Sequence, residues 1–141
     1  MFNPSRDQAR RFLIDAWRKR REALPATPLE TIAADIVALH PEYHPLLEAG
    51  EDALARDWTP EHGEANPFLH LSLHLAIEEQ LSIDQPPGIR GAFEQLAAHH
   101  GERHMALHDV LECLGETLWR AQSSRQPLDA DAYLECIRRQ T

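Results

Sequence analysis

The sequence predicts an all-α fold: a single-domain helical bundle of about five to six helices with two central antiparallel helices. Three observations carry this. Apolar residues recur at helical spacing through most of the 141 residues, nothing alternates with the period of two that a strand needs, and proline- or glycine-marked breaks cut the chain into helix-length pieces. Hydrophobic residues make up 43% of the chain and charged residues 26%, enough for one sizeable core. Every apolar run is broken well short of the roughly 20 residues a membrane span requires.

The first helix is expected from Asn3-Pro4 to about Glu22, with Phe12, Leu13, Ala16, Trp17 and Leu24 on one face; Leu24-Pro25-Ala26 breaks it. Thr27 and Pro28 begin the second helix, with Glu30 in its first turn, where an acid suits the positive end of the helix dipole. It carries Leu29, Ile32, Ala33, Ile36 and Val37 on one side and stops near His40, because Pro41 disfavours helical backbone before it. Residues 41–65 form an irregular connection holding one or two short turns, long enough to suggest either function or flexibility.

Asn66 and Pro67 then open a third helix, running to about Ser82, which is apolar nearly all round: Phe68, Leu69, Leu71, Leu73, Leu75, Ala76, Ile77 and Leu81. Such a helix belongs in the middle of a bundle. A stiff turn, Asp84-Gln85-Pro86-Pro87-Gly88, leads to a fourth helix from Ile89 to about His99. Gly101 separates it from a fifth, about Glu102 to Gln122, and Asp129 caps a sixth bearing Tyr133, Leu134, Cys136 and Ile137.

The candidate chemistry lies in the third and fifth helices. His70, His74 and Glu78 follow one another at intervals of four between two walls of leucine, and His104, His108 and Glu112 repeat the HxxxHxxxE pattern. Polar groups in an apolar surrounding need partners. Residues four apart share a helical face about 5–6 Å apart, close enough for two imidazoles to hold one ion. Four imidazoles and two carboxylates suit a divalent metal ion (iron, manganese or zinc), mononuclear or carboxylate-bridged. In this reading the histidines are ligands and Glu78 and Glu112 terminal or bridging carboxylates. His40 continues the apolar face of the second helix and joins the candidates; His44 follows it, and His100 is a further one if the fourth helix passes Gly101. Gly115 leaves a gap where another helix can approach. The structural alternative is a core network of His–Glu hydrogen bonds that orients the helices.

The remaining constellations carry less. The Glu-x-x-His pair of ferritin-type di-iron bundles is missing, Ser72 has no triad geometry, and no phosphate-binding glycine loop occurs. Trp17, Trp58 and Trp119 read as core or core-edge residues. Cys113 and Cys136 form no CxxC and are too few for a disulfide scaffold; Cys113 reads as a packing residue. With no signal-peptide pattern at Met1–Arg11, a cytoplasmic location is expected.

Net charge is −9, which argues against nucleic acid as a partner, yet residues 1–22 carry +4. Arg18, Lys19, Arg20 and Arg21 in this stretch make either a docking surface or an internal electrostatic match to the acidic remainder. The second functional class is therefore a non-enzymatic interaction module whose basic first helix docks a partner. A small molecule or a protein is the expected partner, with no membrane, and a homodimer stays open.

The run NPFLHLSLHLAIEEQ, the SIDQPPGIR after it, HPEY near residue 40 and ECLGETLWRAQ near the end resemble a small bacterial family known as domain of unknown function 1841, over nearly the full length. The resemblance implies a bacterial, cytoplasmic protein and carries over no activity and no catalytic residue. The histidine pattern also resembles, in its donor types alone, metal-holding bundles of the hemerythrin and DinB types.

Overall fold

The computed structural model describes residues 6–54 and 66–141. The described residues are all-α, with no strand among them, and fall into two compact units, residues 1–75 and 76–141. The helices are α1 (Arg6–Arg21), α2 (Pro28–Ala38), the single turns α3 (His44–Glu48) and α4 (Glu51–Leu54), α5 (Pro67–Ile83), α6 (Ile89–His100), α7 (Arg103–Ser124) and α8 (Ala130–Arg139). The count exceeds the expected five to six because the irregular connection contributes α3 and α4. The Asn3-Pro4 start of the first helix and Trp58 lie outside the described residues.

In the first unit α1 packs on α2, α3 and α4. Leu13, Ala16 and Trp17 of α1 meet Ala33, Ile36 and Val37 of α2, Leu47, Ala53, and Phe68 and Leu71 of α5 in one apolar cluster. Burying each of the larger side chains stabilises the fold by about 1.5–3 kcal/mol. Leu24, expected on this face, lies past the end of α1 and is exposed, as are Leu29 and Ile32 of α2; Ala34 is buried instead.

The N-terminus of α2 is a capping box. Thr27 Oγ1 accepts from Glu30 N at 3.1 Å, while Glu30 Oε1 accepts from Thr27 N at 2.9 Å, satisfying two donors that the first turn leaves open. Lys19 Nζ donates to Glu30 Oε2 at 2.7 Å, tying α1 to the same cap. That hydrogen bond, then the one from the Thr27 backbone, holds the Glu30 carboxyl below the usual carboxylate range, against the opposing pull of burial.

Asn66 caps α5 as its sequence position predicts, its Oδ1 accepting from Phe68 N at 3.0 Å and Leu69 N at 3.2 Å. The helix is less enclosed than its composition suggests. Phe68, Leu71, His74, Ile77 and Leu81 are buried, Leu73, Leu75 and Ala76 are partly so, and Leu69 is exposed. At about 100° per residue, Leu71 and Ile77 stand some 60° to either side of His74. The imidazole thus occupies the middle of the buried face.

In the second unit α6, α7 and α8 pack on one another. Asp84 starts α6 by accepting from Arg90 N at 2.9 Å and Gly88 N at 3.4 Å, and these bonds, the first above all, lower its pKa. Gly101 ends α6 in the left-handed region (φ 71°), its N–H on Ala97 O, so α6 stops at His100. Cys113 differs from its expected packing role: it is bonded to Cys136, with 5.8 Å between the Cα atoms, joining α7 to α8. Trp119, expected at the core edge, is 66% exposed.

Candidate metal centre

The site in the first unit begins where α2 ends. The last carbonyls of a helix lack the regular intrahelical donors, and here two histidine rings add to the backbone bonds that Leu39 N and His40 N make to Ile36 O and Val37 O. His40 Nδ1 donates to Ile36 O at 2.8 Å, and His44 Nε2 donates to Val37 O at 2.9 Å. The negative end of a helix dipole favours positive charge in this neighbourhood. Pro41 starts a 3₁₀ turn over Pro41–Tyr43, whose Tyr43 N bonds back to His40 O at 2.9 Å. The turn swings Tyr43 under His40, the two rings stacked 5.6 Å apart, and sends the chain on into α3.

The bond to Ile36 O fixes the His40 tautomer. With Nδ1 carrying the proton, Nε2 becomes the acceptor or ligand atom. His40 Nε2 faces His70 Nε2 of α5 at 3.2 Å. His74, one turn further along α5, completes a triangle of rings: centroids lie 5.0 Å apart for His40–His70, 4.8 Å for His40–His74 and 4.9 Å for His70–His74. One ring nitrogen from each of the three lies within 4.8 Å of the other two. His40 and His74 are 2% and 1% exposed, and His70 is partly buried.

The His40–His70 spacing is one that a shared metal ion can span. Two nitrogens on a tetrahedral ion with bonds of about 2.0–2.1 Å stand about 3.3–3.4 Å apart, close to the 3.2 Å between the two Nε2 atoms. The backbone carbonyl behind His40 is the kind of outer partner that ligating histidines have. The Tyr43 ring closes one side, edge-on to His70 at 5.8 Å, and desolvation, with Glu42 beside it, pushes its phenol pKa up.

The other candidates occupy different settings. His44 stacks on Trp17 at 4.4 Å, which with its carbonyl bond makes it part of the core. In the second unit, His104 and His108 sit together on α7 with rings 4.3 Å apart. Glu78 is held by Arg103 in a two-pronged pair, Nη1–Oε1 at 2.8 Å and Nη2–Oε2 at 3.0 Å, a hydrogen-bonded arrangement that also raises the Arg103 pKa. Glu112 is exposed. His100 Nε2 bonds Asp109 Oδ2 at 2.6 Å. A Cβ added at Gly115 would meet nothing within 4 Å among the described residues, so the glycine is not a point of close approach there.

The basic charge of α1 is matched within its own unit. Arg18 pairs with Glu22 at 3.2 Å, Lys19 with Glu30 at 2.7 Å, Arg20 with Asp35 at 2.6 Å and Arg21 with Glu48 at 3.7 Å. Sequence reasoning did not single out Arg10, which is 4% exposed, donates to Ala53 O and Leu54 O at 3.3 and 3.0 Å, and lies over the Phe68 ring at 4.9 Å. Nor did it single out Tyr43; the signal was the HPEY string, where a proline-started turn returns an aromatic ring to the preceding histidine.

The family model for domain of unknown function 1841 matches residues 5–139. The chain belongs to this family. No curated protein and no solved structure matches it. No helix among the described residues is long and apolar enough to cross a membrane.

Proposed function

We propose that this member of the domain of unknown function 1841 family binds a transition-metal ion through His40, His70 and His74. The observation that carries the reading is the 3.2 Å approach of two Nε2 atoms, one of them on a ring whose tautomer is set by a backbone carbonyl. An all-imidazole donor set favours zinc or iron over manganese, which prefers oxygen. Three protein ligands are the number that leaves a coordination position for water or substrate. A metal there supplies Lewis acidity, and Tyr43 bounds the space beside it. The second HxxxHxxxE, His104, His108 and Glu112, lies in the other unit and is no part of this three-ligand proposal; Glu78 is committed to Arg103.

The test is elemental analysis of untagged protein purified without chelator, beside His40→Ala, His74→Ala and His108→Ala. About one equivalent of zinc or iron, lost in His40→Ala and His74→Ala, is expected. Metal retained in both variants overturns the assignment. The His108 variant decides whether α7 supplies a ligand.

A core network is the second reading, and one observation favours it: His70 Nε2–H donating to His40 Nε2 at 3.2 Å is a complete hydrogen bond without any ion. A metal-free wild type whose melting temperature ignores chelator selects this reading.

A further inference from the structure

Cys113 and Cys136 differ in access. Cys113 is 1% exposed on the packed face of α7, whereas Cys136, one turn from the end of α8, is partly exposed and lines an open cleft of about 320 Å³. Glu116, Thr117, Arg120, Gln126 and Arg139 form the cleft with it. Its two guanidiniums are each spanned by an acid on the same helix, Arg120 by Glu116 at 2.6 Å and Arg139 by Glu135 at 3.4 Å, so it selects an entering molecule by size more than by charge.

We propose that Cys136 is a thiol-exchange site: a low-molecular-weight thiol enters this cleft and forms a mixed disulfide with Cys136, releasing Cys113.

In disulfide exchange the attacking thiolate adds in line to one sulfur, and access and the leaving thiol decide which. Here the incoming thiolate reaches Cys136 Sγ from the cleft. A new sulfur–sulfur bond forms, the Cys113–Cys136 bond breaks, and Cys113 departs with the electron pair as a thiolate, later taking a proton from water. The step is redox-neutral. Gln140 Nε2, 3.9 Å from Cys113 Sγ, is a donor to the sulfur on which negative charge develops. The opposite outcome requires a nucleophile to reach a sulfur that the packed helix covers.

α8 has the means to stay docked while the bond is open. Tyr133 and Ile137 are fully buried and Leu134 nearly so, and Tyr133 Oη donates to Gln80 Oε1 at 2.7 Å. The Cys113 thiolate therefore stays beside the mixed disulfide and reverses the reaction when external thiol falls.

The experiment incubates oxidised full-length protein with graded reduced glutathione, quenches with N-ethylmaleimide and maps both cysteines by mass. Glutathione is expected on Cys136 at about ten times its level on Cys113, maleimide on Cys113, and a rate that rises linearly with glutathione while helicity is unchanged. The Cys113→Ser variant should take up glutathione from its oxidised form at Cys136. Predominant modification of Cys113, a rate that plateaus at the global unfolding rate, or two free thiols in protein isolated in air would each overturn the proposal.

Discussion

His40 hydrogen-bonds the carbonyl of Ile36 with one ring nitrogen and faces His70 with the other, 2.8 Å on one side and 3.2 Å on the other. The backbone of α2 thus decides which atom of His40 is presented to α5. Ile36 and Val37 of α2 and Phe68 and Leu71 of α5 belong to one apolar cluster with Leu13, Ala16 and Trp17 of α1, and the imidazoles come together beside it.

Metal should stabilise the folded chain by mass action. At a free concentration a hundredfold above Kd the gain is about 2.7 kcal/mol, and chelator should remove it. The same titration on His74→Ala should show no metal-dependent change in melting temperature. Each imidazole binds metal only when unprotonated, so the dependence should also fade on acidification. A wild type insensitive to both metal and chelator at every pH contradicts the prediction.

Glu78 separates the two roles open to it. As the partner of Arg103, which is 55% exposed, it contributes below about 1 kcal/mol, because solvent screens the pair. Glu78→Gln should therefore shift denaturant midpoints only slightly and leave bound metal at the wild-type level. Loss of metal in this variant would return Glu78 to the ligand set.

Helix existence, breaks and caps were legible because each rests on local chemistry: Thr27 and Glu30, Asn66 and Pro67, Gly101, Asp129. The first-unit trio was legible in part. His70 and His74 share a helix and announce themselves by spacing, while His40 joins them only through the apolar cluster that α1, α2 and α5 share, for which the sequence offers no more than a place on the apolar face. Long-range pairings had no local signal. The Arg10 contacts to the Ala53 and Leu54 carbonyls span more than forty residues, and the Cys113–Cys136 bond depends on how α8 lies against α7. Trp119 misled because an aromatic ring counts as apolar wherever the chain puts it.

The Cys113–Cys136 bond closes a loop with a sequence separation of 23. Chain-entropy arguments assign such a loop about 3 kcal/mol of stabilisation, acting mainly on the unfolded state. Cys113→Ser/Cys136→Ser should lower unfolding free energy by that order while keeping helicity. An unchanged denaturant midpoint would show that the bond does not form in solution.

Gly115 lies inside α7 with open space where a Cβ would stand. Alanine there reduces the entropy of the unfolded chain and suits helical backbone, so Gly115→Ala should stabilise by about 0.5–1 kcal/mol. Destabilisation would mean that another surface does approach the helix at this point, as the sequence alone had suggested.

The Lys19–Glu30 pair should give the first unit an acid-sensitive joint. The folded-state pKa of Glu30 is lowered, first by its hydrogen bond with Lys19 and then by the Thr27 backbone. A lowered carboxylate binds fewer protons folded than unfolded, so its contribution is complete above the unfolded value near 4.5 and is lost as pH falls through the lower folded one. Lys19→Met removes the largest cause of the shift. Its melting temperature should therefore fall less steeply than wild type below about pH 4.5, the curves running parallel at neutral pH with the variant slightly lower. Equal acid slopes for the two proteins would mean that the capping box alone holds the Glu30 charge.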